Sequence, residues 1–331
     1  MDAMGGDRGP EDIVAGALEA AADGIVPVIY GPGAIDTHGL EHVVAEQVIA
    51  MDEKPAEAVR AKPYSSLVAA CRSIAEGTAD AVVSAGNTGA MLAAGLLEIR
   101  RLPSVMRPAI AVPIPARDGP SVLLDCGANA DARAEHLLQF AYMGAIFAEE
   151  ILGLPNPEVR LLSIGEEPEK GNQLTLEAHG LLAESGVRFG GNTEGRDLLA
   201  GGGNVVVTDG FTGNVALKTL EGTARAVAGA VRGAARSGPL AAAGGLLLSP
   251  ALKGLRRGMD PNAVGGAVLL GLRGVAVVAH GSSSTEGIAN AVRLADRAVR
   301  ERALERTTEA LERAGATRGG LRASRAPGGE G

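Results

Sequence analysis

Five short loops rich in glycine and asparagine each follow an apolar, strand-like run. That repetition limits the folds open to this chain more than any other feature. The loops span 84–89, 125–131, 165–172, 209–214 and 280–284, behind apolar runs at 81–83, 121–124, 159–164, 205–207 and 275–279. A helix-like segment follows most of them. In an open α/β sheet, loops at the carboxyl ends of strands converge on a crevice where ligands bind. Glycine lets backbone N–H groups approach a ligand closely, and a helix N-terminus behind the loop adds unpaired donors and the positive end of a dipole. The expectation is one large polar site, built from all five loops, that holds an oxyanion, most simply phosphate.

Composition narrows the function classes. The chain has 331 residues, 46% of them apolar, enough for a large core in one or two domains. With no Trp, four Phe and three Tyr it has little to stack on bases, and a net charge of -8 argues against a general nucleic-acid binder. Cys71 and Cys126 form neither a disulfide framework nor a metal-ligand pattern, which points to a reducing cytoplasm and no metal. The start, Met1-Asp2-Ala3-Met4-Gly5-Gly6-Asp7, is unlike a signal peptide. The longest uncharged stretch, 237–252, is too short and too rich in Gly and Pro to span a bilayer.

Strand-like and helix-like segments alternate along the chain. Strands are expected at 26–30, 42–49, 79–84 and 108–115, and helices at 65–76, 87–101, 134–152, 173–185, 211–236 and 285–314. Pro108, Pro113 and Pro115 favour an edge or irregular position for the 108–115 strand. The alternation implies a three-layer α/β/α sandwich with a mostly parallel sheet. One domain is expected over 1–300, a helical extension over 301–314, and a disordered tail over 315–331, which is rich in Gly, Arg and Pro.

Each motif has a chemical reading and a plainer one. Ser84, Gly86, Asn87, Thr88 and Gly89 suit a phosphate cradle, or only a capped helix start. Gly165, Glu166, Lys170, Gly171 and Asn172 suit a loop in which Lys170 neutralises an anion and Asn172 donates to it, or a solvated charge cluster. Asp209 ends a strand with Gly210 behind it. Asn214 and Lys218 share a helical face, so Lys218 is a second cation for the site or an ordinary surface lysine. His280 moves a proton, binds phosphate, or merely orients its loop. Cys126 reads as a buried strand-end residue rather than a nucleophile. At 249–259, Ser249-Pro250 is a good helix start. Leu248, Leu252, Leu255 and Met259 then form an apolar stripe, with Lys253, Arg256 and Arg257 at its flank or facing away. Such a helix lies on an anionic membrane or packs against a partner subunit.

Taken together, the motifs resemble one family. Asp2 to Asp7, Ser84 to Ala90, Arg107-Pro108-Ala109, Gly127-Ala128-Asn129 with Asp131, Ile164 to Asn172, Gly191 to Asp197 and Asp209 to Asn214 are similar, in order, to the bacterial acyl-[acyl-carrier-protein]:phosphate acyltransferases. The resemblance covers residues 2 to about 293. It implies a fold like that of isopropylmalate and isocitrate dehydrogenases, a homodimer, and a peripheral position on the inner face of the cell membrane. It also implies that the 237–260 region is a protruding apolar hairpin. The family usually has a few apolar residues before the first Asp, so the first strand is expected to be missing or clipped here.

The mechanism implied is direct attack of bound phosphate on the thioester of acylated acyl carrier protein, giving acyl-phosphate for glycerophospholipid synthesis without a cofactor. Lys170, Asn87, Asn129, Asn172 and Asn214 are candidates to stabilise phosphate and the oxyanion, with His280 assisting the leaving thiolate. Asp2 and Asp7 position loops or touch the carrier's arm. The acidic carrier needs a basic patch, either Arg100, Arg101 and Arg107 or Lys253, Arg256 and Arg257. The membrane glycerol-3-phosphate acyltransferase is a further expected partner. Rivals are a phosphotransacetylase-type enzyme using acyl-coenzyme A and a non-catalytic membrane sensor of the carrier. A dinucleotide-dependent dehydrogenase lacks its fingerprint here.

Overall fold

A computed structural model describes residues 1–117, 119–258 and 265–323. Helix α1 (Pro10–Ala21) leads to strands β1 (Val28–Gly31) and β2 (Glu41–Val44), helices α2 (Pro55–Ala61) and α3 (Ser66–Ala75), strand β3 (Ala81–Ser84) and helix α4 (Thr88–Ala94). Strands β4 (Ala109–Ala116) and β5 (Gly119–Leu124) form a hairpin, followed by α5 (Ala134–Ile146), β6 (Val159–Ser163), α6 (Gln173–Ala183), β7 (Phe189–Glu194) and β8 (Val205–Val207). Two long helices, α7 (Gly210–Ala235) and α8 (Pro239–Gly258), precede β9 (Ala267–Leu270) and β10 (Val275–Val278). Helices α9 (Thr285–Arg300), α10 (Ala303–Arg313) and α11 (Arg318–Ala323) follow.

The strands are short and apolar on both faces, so alternate residues feed two separate cores. Val83, Val122, Leu124, Val159, Leu161, Val205, Val207, Val275 and Val277 pack with α1, α5, α6, α9 and α10. Their neighbours Val82, Leu123, Leu162, Val206, Ala276 and Val278 pack with α2, α3, α4 and α7. This is the expected three-layer sandwich. Helix α9 shows the logic locally. Ser284 caps it by accepting from the Gly287 N–H, and Ile288, Ala291, Val292, Ala295 and Ala298 recur at helical spacing on its buried face against α1. Burying a side chain such as Ile288 contributes about 1.5–3 kcal/mol.

The eight-stranded sheet has the order β3-β10-β9-β4-β5-β8-β6-β7. Its polarity reverses in the middle. β3 and β10 run in one direction, as does β4. β9, β5, β8, β6 and β7 run in the other. The sheet is therefore two parallel blocks of opposite sense, joined through antiparallel pairings of β9 and β4.

The structure refines several expectations. Residues 1–3, where the first strand was expected to be missing or clipped, add a short extended segment to the sheet. The Asp2 N–H donates to Val83 O at 3.0 Å, the Ala3 N–H to Tyr30 O at 2.9 Å, and the Met1 ammonium to Val28 O at 2.6 Å. Residues 1–3 thus bridge β1 to β3, and burial lowers the Met1 ammonium to about 6. Strand β4 is central rather than at an edge. It pairs with β9 only through Ala109–Ala111, so Pro113 and Pro115 lie past the end of β9, where no N–H is needed. The 285–314 helix breaks at Arg302, whose φ is 52°. The 315–331 tail is ordered at its start. Ala316 is buried, its carbonyl accepts from Gln139 Nε2 at 2.7 Å, and the Arg318 N–H donates to Ser104 O. Helix α8 also begins at Pro239 rather than at Ser249, because the Ala- and Leu-rich stretch before Pro250 carries helix propensity of its own. Met259 lies outside the described residues.

Candidate active site

Strand polarity decides which loops can meet. The 84–89 and 280–284 loops leave the carboxyl ends of β3 and β10, whereas the 125–131, 165–172 and 209–214 loops leave the carboxyl ends of β5, β6 and β8 at the opposite edge. The strand ends themselves lie within one to three residues of one level, but the loops leave them in opposite directions, and β10 and β3 stand three and four strands from β5, about 14–19 Å at 4.8 Å per strand. The five loops therefore form two constellations and not the single crevice expected.

The first constellation is organised by Asp2. Its buried carboxylate accepts from Ser66 Oγ at 2.6 Å, Ser84 Oγ at 2.7 Å and the Met4 N–H at 3.1 Å. Ser84 Oγ in turn accepts from the Gly86 N–H. Asn87 is fully engaged. Its oxygen caps α4 at Ala90, and its amide donates to Met51 O and Glu53 O. Ser84 and Asn87 thus shape the loop rather than offer donors to a ligand. The Asp7 N–H donates to Gly281 O at 2.7 Å, which brings the N-terminal loop onto the 280–284 loop. His280 is exposed, and its Nδ1 accepts from the Ser282 N–H, so the neutral ring carries its proton on Nε2. Thr88 is exposed at the start of α4.

The second constellation is organised by Asp125, whose role the sequence reading missed. This buried carboxylate accepts from the N–H groups of Ile110, Ala128 and Asn129 and from Asn129 Nδ2, all within 3.0 Å. Burial raises its pKa, against the pull of those hydrogen bonds. A signal was present, since an Asp at a strand end bonds readily to N–H groups three and four residues on. Asn129 is consumed in this hub. Its amide also donates to Pro108 O, and its carbonyl accepts from the Gly210 N–H. The hub reaches α7 through Gly213, where any Cβ would collide with the Asp125 carbonyl. Cys126 is buried behind it, with its thiol pushed up by desolvation, which agrees with a structural role.

Two side chains at this edge stay available. Lys170 is exposed on its loop, and no carboxylate pairs with it among the described residues. Its carbonyl accepts from Ser163 Oγ, and Gly171 follows at a φ of 125°, a turn that a side chain would strain. Asn172 caps α6 at the Thr175 N–H, which aims the unpaired first-turn donors of α6 out of the loop. Asp209 caps α7 through the Thr212 N–H and Oγ1. Asn214 is exposed on the first turn of α7, beside Gly127. Lys218 is not a free cation, because Glu221 pairs with it at 3.0 Å. Glu166 lies 3.9 Å from Arg196, which also pairs with Glu194. Gly165, Gly171 and Gly210 supply close backbone approaches at this edge. Gly86 and Gly89 do so at the other.

The candidate membrane residues fall on α8. Leu248 is exposed, as are Leu240, Leu246 and Leu247. Leu252, Lys253, Leu255, Arg256 and Arg257 lie along the same helix. No helix among the described residues is long and apolar enough to cross a membrane.

The arrangement has known relatives. The family model described as "Fatty acid synthesis protein" matches residues 1–306. A phosphate acyltransferase of Heliobacterium modesticaldum is 46% identical over 313 residues, 91% of this chain and 93% of the relative. Those of Geobacillus thermodenitrificans and Elusimicrobium minutum are 45% and 44% identical, covering 89% and 90% of this chain and 93% and 91% of theirs. Among solved structures, EutD phosphotransacetylase from Staphylococcus aureus superposes with a TM-score of 0.56 at 17% identity, covering 87% of this chain and 91% of that one. A phosphotransacetylase from Streptococcus pyogenes gives the same score and identity over 94% and 93%. These two share the fold. The sequence relatives, matching nearly end to end, show that this chain belongs to the phosphate acyltransferases, enzymes that transfer an acyl group to phosphate.

Proposed function

We propose that the acyl donor is acylated acyl carrier protein and that the reaction runs at the Asp125–Lys170–Asn214 edge. The observation carrying this reading is Lys170, an exposed ammonium without a carboxylate partner among the described residues, on the loop that opens α6, one strand over from the loop that opens α7. Phosphate bound there gains a cation and several unpaired backbone donors. One phosphate oxygen attacks the thioester carbonyl. Lys170, Asn214 and the first-turn N–H groups stabilise the tetrahedral oxyanion, which collapses by breaking the C–S bond. A thiolate leaves readily, so strong acid catalysis is not required. The product is acyl-phosphate, a precursor for glycerophospholipids.

The exposed pairs Phe211 with Val215 and Val227 with Val231 on α7 support a homodimer that buries this helix. The exposed leucines of α8 support peripheral attachment to the membrane, where a glycerol-3-phosphate acyltransferase would receive the product. A second reading places phosphate at the other edge, beside Thr88 and the Nε2 proton of His280.

The test is phosphate-dependent release of free thiol from palmitoyl-acyl carrier protein, with palmitoyl-coenzyme A in parallel and hydroxylamine to trap acyl-phosphate. Release that requires phosphate and favours the carrier thioester is expected. Preference for coenzyme A would make the enzyme phosphotransacetylase-like, and binding without turnover would make it a sensor.

A further inference from the structure

Among the described residues the acidic chain carries a concentrated basic concavity. Arg100, Arg101, Arg273 and Arg318 line a cleft of about 460 Å³ together with Leu96, Leu102 and Pro103. The backbone fixes three of them. The Arg100 N–H donates to Gly95 O, the Arg273 N–H to Arg100 O, and Arg273 Nε to Arg101 O. Arg100 sits at a φ of 67°, which turns the chain sharply out of the helix before it. Arg318 is brought in from α11 by its N–H bond to Ser104 O. No carboxylate pairs with Arg100, Arg273 or Arg318 among the described residues. Leu96 and Leu97 are exposed beside them.

Position gives this cleft its meaning. It lies where β9 ends and β10 begins, the same sheet edge from which the Asp125, Asp209 and Lys170 loops emerge. β5 and β8 are the second and third strands beyond β9, about 10–15 Å away at 4.8 Å per strand. The intervening chain, 101–108, links the two places directly, since Pro108 O accepts from Asn129 of the Asp125 hub.

We propose that this cleft docks the acidic face of the acyl carrier protein, with Arg100, Arg101, Arg273 and Arg318 meeting carboxylates and Leu96, Leu97 and Leu102 meeting the apolar residues among them. The thioester-bearing arm then runs along the edge to Lys170 and Asn214. The inference rests on the acyl-carrier reading above. It selects the Arg100–Arg101 patch over the one on α8 and adds Arg273 and Arg318, which are remote in sequence. The guanidinium groups form charge-assisted pairs with carboxylates, and this cleft is the place where a net-negative chain attracts a net-negative partner.

The experiment uses the full chain carrying Arg100→Glu and Arg273→Glu, with palmitoyl-acyl carrier protein as substrate. We expect the KM for the carrier thioester to rise at least tenfold, the KM for phosphate to stay within twofold, and added salt to weaken the wild type more than the variant. The conservative pair Arg100→Lys and Arg273→Lys should recover most of the affinity. An unchanged carrier KM with a folded variant, shown by its thermal transition, overturns the docking assignment. Loss of binding to phosphatidylglycerol vesicles with an unchanged carrier KM makes the cleft a lipid site instead. Absence of carrier turnover in the wild type refutes the donor reading itself, which keeps the two failures apart.

Discussion

The two edges of the sheet solve one problem and leave different polar side chains exposed, Thr88 and His280 at one and Lys170 and Asn214 at the other. At each, a buried aspartate gathers loops that would otherwise hold their N–H groups unpaired. Asp2 takes two hydroxyls and one N–H, and the asparagine beside it is used up in capping α4 and holding 51–53. Asp125 takes three N–H groups and one amide, and Asn129 is used up likewise, but Lys170 and Asn214 on the adjoining loops stay free. Polar residues in glycine-rich loops therefore divide into those that build the cradle and those that can face a ligand. Only the second kind is a candidate for chemistry.

The hubs themselves give the largest expected effect. Asp125→Ala strands the N–H groups of Ile110, Ala128 and Asn129 and should cost about 3–5 kcal/mol in urea unfolding. Asp2→Ala strands one N–H and two rotatable hydroxyls and should cost about 1–3 kcal/mol. Equal losses would sink the distinction. Next comes Lys170→Ala, which should lower kcat/KM about 10²–10³-fold with little change in stability, the range for one oxyanion donor. His280→Ala should lower it by less than about tenfold, and the reverse order would move the reaction to the His280 edge.

Lys218→Ala should do least, below about 0.5 kcal/mol and twofold in rate, because its exposed pair with Glu221 is weak.

Strands, helices and layers were largely legible because the apolar runs and capped loops are strong local signals. Strand polarity was not, since a two-residue period is the same in either direction. The clue lay in loop length. Parallel neighbours need a crossover of a dozen or more residues, whereas only two residues separate Ala116 from Gly119. That spacing forces β4 and β5 antiparallel and divides the five loops. The motif residues stand out in the sequence, but which of them are consumed as caps depends on partners such as Met51 and Pro108, far away in sequence. Arg273 and Arg318 were invisible for the same reason.

The pairing of β3 with β10 also sets a schedule for synthesis. Ser84 leaves the ribosome about 190 residues before Val278, its neighbour in the sheet, and α1 waits still longer for α9. At 5–20 residues per second that is about 10–40 s, during which β3 has an open edge and α1 an uncovered apolar face. The half of the molecule made first therefore completes its fold last, and during that wait it is the part most in need of a chaperone.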